Sequence, residues 1–131
     1  MDALQALLGA KPVAEITEEV TIKRLNTEFT IKALSGDDID TIREQATRVV
    51  PVGKKKELKV DEKEVARLLV AKAVVKPDFN NADLKKHYGA VDAGDCVQKA
   101  LLAGEIATLQ GAIFELSGFG DEDEAVEEVK N

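Results

Sequence analysis

Residues 19–33 read EVTIKRLNTEFTIKA, and this stretch decides the fold class. Val20 and Ile22 alternate with polar residues, the run stops at Asn26, and the alternation resumes at Phe29. A period of two is typical of a β-strand with one buried face, so the stretch predicts an antiparallel hairpin with one apolar face. Because a lone two-stranded hairpin is marginal in water, helices must cover that face.

A helix is predicted directly after the hairpin. Ser35 is a favourable N-cap residue, and Asp38 takes the place of the usual glutamate of a capping box. Apolar residues then recur at the helical steps of three and four: Ile39, Ile42, Ala46 and Val49. Pro51 and Gly53 end this helix. For residues 50–60 the pattern leaves two alternatives open, a second hairpin or a mobile loop.

Helices dominate the second half of the chain. A helix capped at Asp61 is predicted to extend to Lys76, and apolar residues cover most of its circumference, so it should be the most buried helix. A short helix is predicted over residues 82–88, followed by a pair of helices separated at Gly104. Together these elements predict an α+β domain over residues 19–118. It consists of one antiparallel β-hairpin, with a second left open, packed against about four α-helices.

Two segments flank the predicted domain. Residues 1–18 are predicted to form a short helix and a linker, because residues 3–8 are apolar at helical spacing and helix breakers follow. Such a helix is too short to be stable alone. Residues 119–131 hold six acidic residues and one lysine, with too little apolar surface to offset the entropy of ordering. They are predicted to be a disordered acidic tail.

Composition limits the classes of function. The 131 residues are 44% hydrophobic and 33% charged, which fits one soluble globular domain. The longest uncharged stretch, residues 106–114, is far shorter than the roughly 20 apolar residues of a membrane span, and the acidic start lacks the basic region of a signal peptide. We therefore expect a cytoplasmic protein without membrane contact. A net charge of −7 disfavours binding to nucleic acid.

The counts of cysteine and histidine restrict the chemistry in the same way. Cys96 is the single cysteine and cannot form an internal disulfide, and the single histidine, His87, cannot build a two-histidine zinc site. A nucleophile and base formed by these two would need an orienting group and an oxyanion site, and the sequence indicates neither. Cys96 lies on the apolar side of a predicted helix, where thiols are commonly buried. With no cofactor motif either, we predict a protein that is not an enzyme and holds no cofactor or metal.

The order of these pieces is similar to that of a known family. The resemblance rests on residues 19–25 (EVTIKRL), 31–34 (IKAL), 101–106 (LLAGEI) and 115–119 (ELSGF). Through these stretches the chain resembles the XkdN-like tail assembly chaperones of long-tailed phages and related prophages of Gram-positive bacteria, over most of residues 15–119. Members often have proline at the position of Ala103, which leaves the helix break here to Gly104.

The resemblance implies a non-enzymatic role with protein partners. Such chaperones are thought to coat the long, hydrophobic, helical tape measure protein, to keep it soluble, and to help recruit the tail tube subunits that displace them. They act in the cytoplasm of the bacterial host and are absent from the mature virion. A coat along a filament needs self-contact or close spacing, so weak homo-oligomerisation fits this role, although no residue pattern in the chain predicts it.

Five apolar residues are the predicted partner contacts. Leu4, Leu7 and Leu8 lie in the short first helix, and Phe114 and Phe119 lie at the end of the last helix. Apolar helical stripes are covered by other helical surfaces, although residues of this kind more often belong to the core. Two rival functions stay open: a small structural tail completion protein retained in the virion, and an acidic protein-interaction adaptor.

Overall fold

The computed structural model describes residues 2–119 and has an α+β architecture. This part of the chain contains six α-helices and two antiparallel sheets, one of three strands and one of two. The predicted fold class is therefore confirmed. The predicted acidic tail lies outside the described residues from position 120 onward, and the division of the chain at residues 18 and 118 stays a prediction.

The predicted hairpin is present and supplies two of the three strands of the larger sheet. β1 (Thr17–Ile22) pairs with β2 (Thr27–Lys32), with Val20 opposite Phe29. Asn26 has the left-handed backbone conformation, with φ of 51°, that reverses the chain between the strands. The inner face of this hairpin joins the hydrophobic core, in which Ile31 has no exposed surface.

The predicted helix over residues 61–76 is three residues too long. α3 covers Glu62–Ala73, and the chain then continues as β5 (Val74–Lys76), which pairs antiparallel with β2. β-Branched residues favour strands and the residue before a proline avoids the helical region, so the two valines and Lys76 before Pro77 adopt an extended conformation. α3 is the central helix, as predicted, because it packs against three others: α2 (Gly36–Gln45), α5 (Ala93–Ala100) and α6 (Ala103–Leu116).

Residues 50–60 belong to a second hairpin and not to a loop. β3 (Thr47–Val52) pairs with β4 (Lys55–Val60) around Gly53, whose φ is 63°. α2 (Gly36–Gln45) is therefore shorter than predicted, and Val49 lies in β3 and not on the helix. The β-branched Val49 and Val50 precede Pro51, a sequence that favours a strand over continued helix.

The remaining helices follow the prediction closely. They are α1 (Ala3–Gly9), α4 (Ala82–Tyr88), α5 (Ala93–Ala100) and α6 (Ala103–Leu116). The break between α5 and α6 lies at Leu101 and Leu102 and not at Gly104, because the Leu102 amide donates to the Glu105 side chain at 2.8 Å and opens the new helix there. No helix within residues 2–119 combines the length and apolar character that crossing a membrane requires.

Candidate partner-binding surface

The leucines of α1 are the most prominent exposed apolar group on a helix. The Asp2 carboxylate caps this helix by accepting from the Gln5 amide at 2.8 Å. Leu4, Leu7 and Leu8 are 66%, 77% and 76% exposed, and no residue of α1 is buried by the rest of the described chain. Their spacing places all three on one face. A seven-residue helix of this kind gains stability only when another surface covers that face.

The segment that follows α1 is fixed at Ile16, next to the end of α6. The Ala33 amide donates to the Ile16 carbonyl at 2.8 Å, and the adjacent Leu34 amide donates to the Ser117 Oγ at 2.9 Å. Two consecutive residues after β2 therefore hold the N-terminal arm, residues 2–16, on one side and the end of α6 on the other. The attachment points of the two segments that carry the predicted contacts, Ile16 and Ser117, therefore lie at the same end of the domain, although they are about a hundred residues apart in the sequence.

The two phenylalanines play different parts at this end. Phe114 is half-buried and packs against the core, whereas Phe119 is 41% exposed. Their rings meet edge to face, with centroids 5.4 Å apart. Phe114 thus supports Phe119, and Phe119 offers the larger exposed surface. Sequence reasoning missed Val13 and Ile16, which are exposed in the arm between α1 and β1, because they fit neither the helical nor the alternating pattern.

The far end of α6 is fixed by an ion pair. Glu105 accepts from Arg24 Nε at 2.9 Å and from Arg24 Nη2 at 2.8 Å, and Nη2 also donates to the Ala100 carbonyl at 3.2 Å. The hydrogen bonds from Arg24 and then from the Leu102 amide lower the pKa of Glu105. With Ser117 held at the other end, α6 is a rigid base for the phenylalanines.

A second exposed surface lies on the second hairpin, residues 47–60, which we call the basic hairpin. Val49 and Leu58 face each other across its strands and are 59% and 75% exposed. Three consecutive lysines occupy residues 54–56, and the hairpin as a whole has a net charge of +4. Sequence reasoning left this region open between hairpin and loop and named no contact in it. The ten residues of α2 separate the basic hairpin from the arm by about 15 Å.

The structure gives no support to chemistry at Cys96. The thiol is completely buried, and burial, followed by the nearby Asp95 carboxylate, raises its pKa. A raised pKa keeps the thiol protonated and unreactive. His87 is exposed and packs edge to face on Tyr88, with ring centroids 4.8 Å apart. Within residues 2–119, no three side chains of the metal-ligating types come together in a way that could hold an ion.

A solved structure of another protein has the same fold. The crystal structure of the protein YqbN superimposes with a TM-score of 0.70, covering 91% of this chain and 98% of that chain at 23% sequence identity. No curated protein matches the sequence.

Comparison with protein families shows the family to which the chain belongs. The model of the family described as phage XkdN-like tail assembly chaperone protein matches residues 4–130. The chain therefore belongs to the XkdN-like tail assembly chaperone family, which confirms the resemblance found in the sequence. This family is a class of assembly chaperones and not of enzymes, and membership indicates protein partners in tail assembly.

Proposed function

We propose that this member of the XkdN-like tail assembly chaperone family binds the tape measure protein, keeps it soluble, and helps recruit tail tube subunits while the tail forms. It acts in the cytoplasm of the bacterial host, catalyses no reaction, and leaves the assembly before the virion is complete. The observation that carries the proposal is the unsupported leucine face of α1 in a chain of this family.

The geometry of the arm supports an apolar helical partner. Leu4, Leu7 and Leu8 form one stripe, and apolar helix faces are recognised at this spacing of i, i+3 and i+4. Val13, Ile16 and Phe119 are further exposed apolar side chains near the point at which the arm joins the domain. A tape measure helix with an apolar stripe has the chemistry that this surface needs.

The size of the surface supports reversible binding. Burying a leucine side chain fully contributes about 1.5–3 kcal/mol, and ordering the arm and the loss of translational freedom oppose it. A contact of three leucines and one phenylalanine per chaperone is weak enough to be displaced by polymerising tube subunits. Many copies bound along one filament would still keep it soluble, because each covers a separate stretch.

Co-expression with the tape measure protein encoded nearby tests the function. We expect the tape measure protein to become soluble and to co-purify in a fixed ratio with this chain. The double variant Leu7→Gln/Leu8→Gln should lose this effect, while Val91→Gln/Leu102→Gln, which changes two exposed aliphatic residues elsewhere, should retain it. If the tape measure protein precipitates equally with and without this chain, the function is wrong. If both double variants keep it soluble, the assignment to the arm is wrong.

Purified virions separate this function from the rival structural subunit. Mass spectrometry should find tube and tape measure peptides and no peptides of this chain. Detection of the chain in amounts comparable to those of a tail protein would favour the tail completion protein. An acidic adaptor would instead be recognised by strong weakening of its complex at high salt, which an apolar contact through α1 does not predict.

A further inference from the structure

We propose that the basic hairpin is covered by the acidic segment of its own chain, residues 120–131. The contact pairs the hairpin lysines with the carboxylates of this segment and shields the Val49–Leu58 pair. It requires no tape measure protein and goes beyond the function proposed above.

The basic hairpin carries charge that the described residues leave unmatched. Within residues 2–119, no side chain forms an ion pair or a hydrogen bond with the lysines at residues 54–56 or with Lys59. Arg48, by contrast, lies 3.6 Å from Asp61 and 4.0 Å from Glu64 at the base of the hairpin. Arg48 is therefore paired with acidic residues at the start of α3. The four lysines of the turn and of β4 offer their positive charges to another partner.

The charges of the chain favour this one occupant. The acidic segment has a net charge of −5, with six carboxylates between residues 121 and 128. Residues 1–46 and 61–119 have a net charge of −6, so the surface outside the hairpin repels it, while the hairpin, at +4, attracts it. The hairpin holds the one run of three consecutive lysines in the chain.

The acidic segment also has residues that suit the apolar part of the surface. Val126 and Val129 lie among the carboxylates, and the exposed Val49 and Leu58 face each other on one side of the hairpin. Removing these four side chains from water favours the contact. This apolar contribution adds to the attraction between charges, which an isolated lysine cluster would supply alone.

Chain length allows the contact within one molecule. The Leu34 amide holds Ser117 beside the start of α2, and the hairpin begins at the other end of that helix, about 15 Å away. Twelve residues span up to about 40 Å when extended, which reaches the base and the turn of the hairpin. A segment tethered at this distance has an effective concentration of about 1 mM, so in dilute solution it outcompetes the segment of another copy.

Carbodiimide cross-linking of the full-length protein tests the contact. The reagent joins a lysine amine to a carboxylate in contact with it, and peptide mass spectrometry identifies the joined residues. We expect amide bonds between lysines of residues 54–59 and acids of residues 121–128, with a yield that falls about tenfold between about 0.05 M and about 0.5 M salt. In an equal mixture of isotope-labelled and unlabelled protein, the two peptides of each cross-linked pair should be both labelled or both unlabelled, because they come from one molecule. Pairs of mixed label, or no such pairs at low salt, would overturn the proposal.

Charge-reversal variants make the test specific. Replacing the three lysines by Lys54→Glu, Lys55→Glu and Lys56→Glu should remove these cross-links. The matched control Lys11→Glu, Lys23→Glu and Lys86→Glu, which reverses three exposed lysines elsewhere, should keep them. Adding Asp121→Lys, Asp123→Lys and Glu124→Lys to the hairpin variant should restore cross-links, with the carboxylates now on the hairpin and the amines on the segment of residues 120–131. Equal yields in the hairpin variant and the control would contradict the contact, and circular dichroism of each variant checks that the fold is retained.

Discussion

The two hairpins of this protein have the same strand lengths and the same antiparallel pairing, but they differ in how far the rest of the chain buries them. Each joins two six-residue strands in an antiparallel register. β1 and β2 gain a third strand and contact α6, so that one face enters the core, whereas no residue of β3 or β4 is buried by the described part of the chain. An isolated hairpin is marginally stable, so the first is held by the core and the second needs another source of stability.

The lesson is that strand periodicity describes local conformation and not burial. Both hairpins contain β-branched residues, but the second adds a proline and a lysine run, which are typical ways of protecting an exposed strand from unwanted pairing. The first hairpin is therefore structural. The second is available for contacts, and the proposed cover by the acidic segment supplies the stabilisation that packing does not.

The largest expected effect is the loss of a core side chain from the first hairpin. Ile31 is completely buried in β2, so Ile31→Ala should lower the free energy of unfolding by about 2–5 kcal/mol through lost burial and the cavity left behind. Leu58→Ala, in the second hairpin, should cost less than about 1 kcal/mol because its side chain is mostly exposed. Urea unfolding followed by circular dichroism measures both. Equal losses would show that the hairpins are packed alike.

A smaller effect is expected at the helix that connects the hairpins. The Ser35 hydroxyl accepts from the Asp38 amide at 3.2 Å, and the Asp38 carboxylate accepts from the Ser35 amide at 3.0 Å, so the capping box predicted from the sequence is present. Ser35→Ala should reduce stability by about 1 kcal/mol. The same urea experiment measures it, and Ser35→Asp, which can still cap, is the matched control. A loss in both variants would mean that something other than capping is responsible.

Local signals of this kind explain which parts of the fold could be predicted. The alternation around Ile22 and Phe29 and the cap at Ser35 depend on neighbouring residues alone, and both are observed. β5 was not predicted: the two valines and Pro77 favour an extended chain locally, but the strand is completed by the pairing of Val74 with Ile31, far away in the sequence. Val49 was placed on a helix because its spacing from Ala46 fits, and strand pairing with Leu58 overrides that spacing.

The candidate partner-binding surface also has a part that the sequence predicts and a part that it does not. The exposed leucine stripe was readable because a short apolar helix followed by breakers has nothing local to pack on. The meeting of the arm with α6 was not readable, because it depends on hydrogen bonds from Ala33 to Ile16 and from Leu34 to Ser117. Whether the five predicted residues bind a partner stays a prediction, with the experiments above as its tests.

The ion pair that fixes α6 to the first hairpin predicts a dependence of stability on pH. The pKa of Glu105 is lowered in the folded protein by its bonds with Arg24, so this pair stabilises the fold above the ordinary pKa of 4.5 and ceases to do so as the pH falls through the folded value. Glu105→Gln should therefore be less stable than the unmodified protein near neutral pH, and the difference should shrink in acid. Thermal melts across this range measure it.

A control separates this pair from the general effect of removing an acid. Glu44 is exposed on α2, and its side chain has no partner among the described residues. Glu44→Gln changes the net charge by the same amount and removes no ion pair among the described residues. If both variants behave alike, the Arg24–Glu105 pair contributes nothing measurable.

The smallest expected effect has the opposite sign and lies on the outer face of the first hairpin. Glu28 and Glu19 lie diagonally across β1 and β2, and a hydrogen bond between the two carboxyl groups, followed by their mutual repulsion, raises the pKa of Glu28. A raised folded pKa favours the fold below the ordinary value of 4.5, and this contribution is lost as the pH rises through the folded value. Glu28→Gln should therefore be slightly more stable than the unmodified protein at neutral pH, because the repulsion is gone, and the advantage should vanish in acid. Glu18→Gln, next to Glu19 on the edge strand β1, is the matched control, and an equal gain in that variant would assign the effect to net charge instead of to the carboxylate pair.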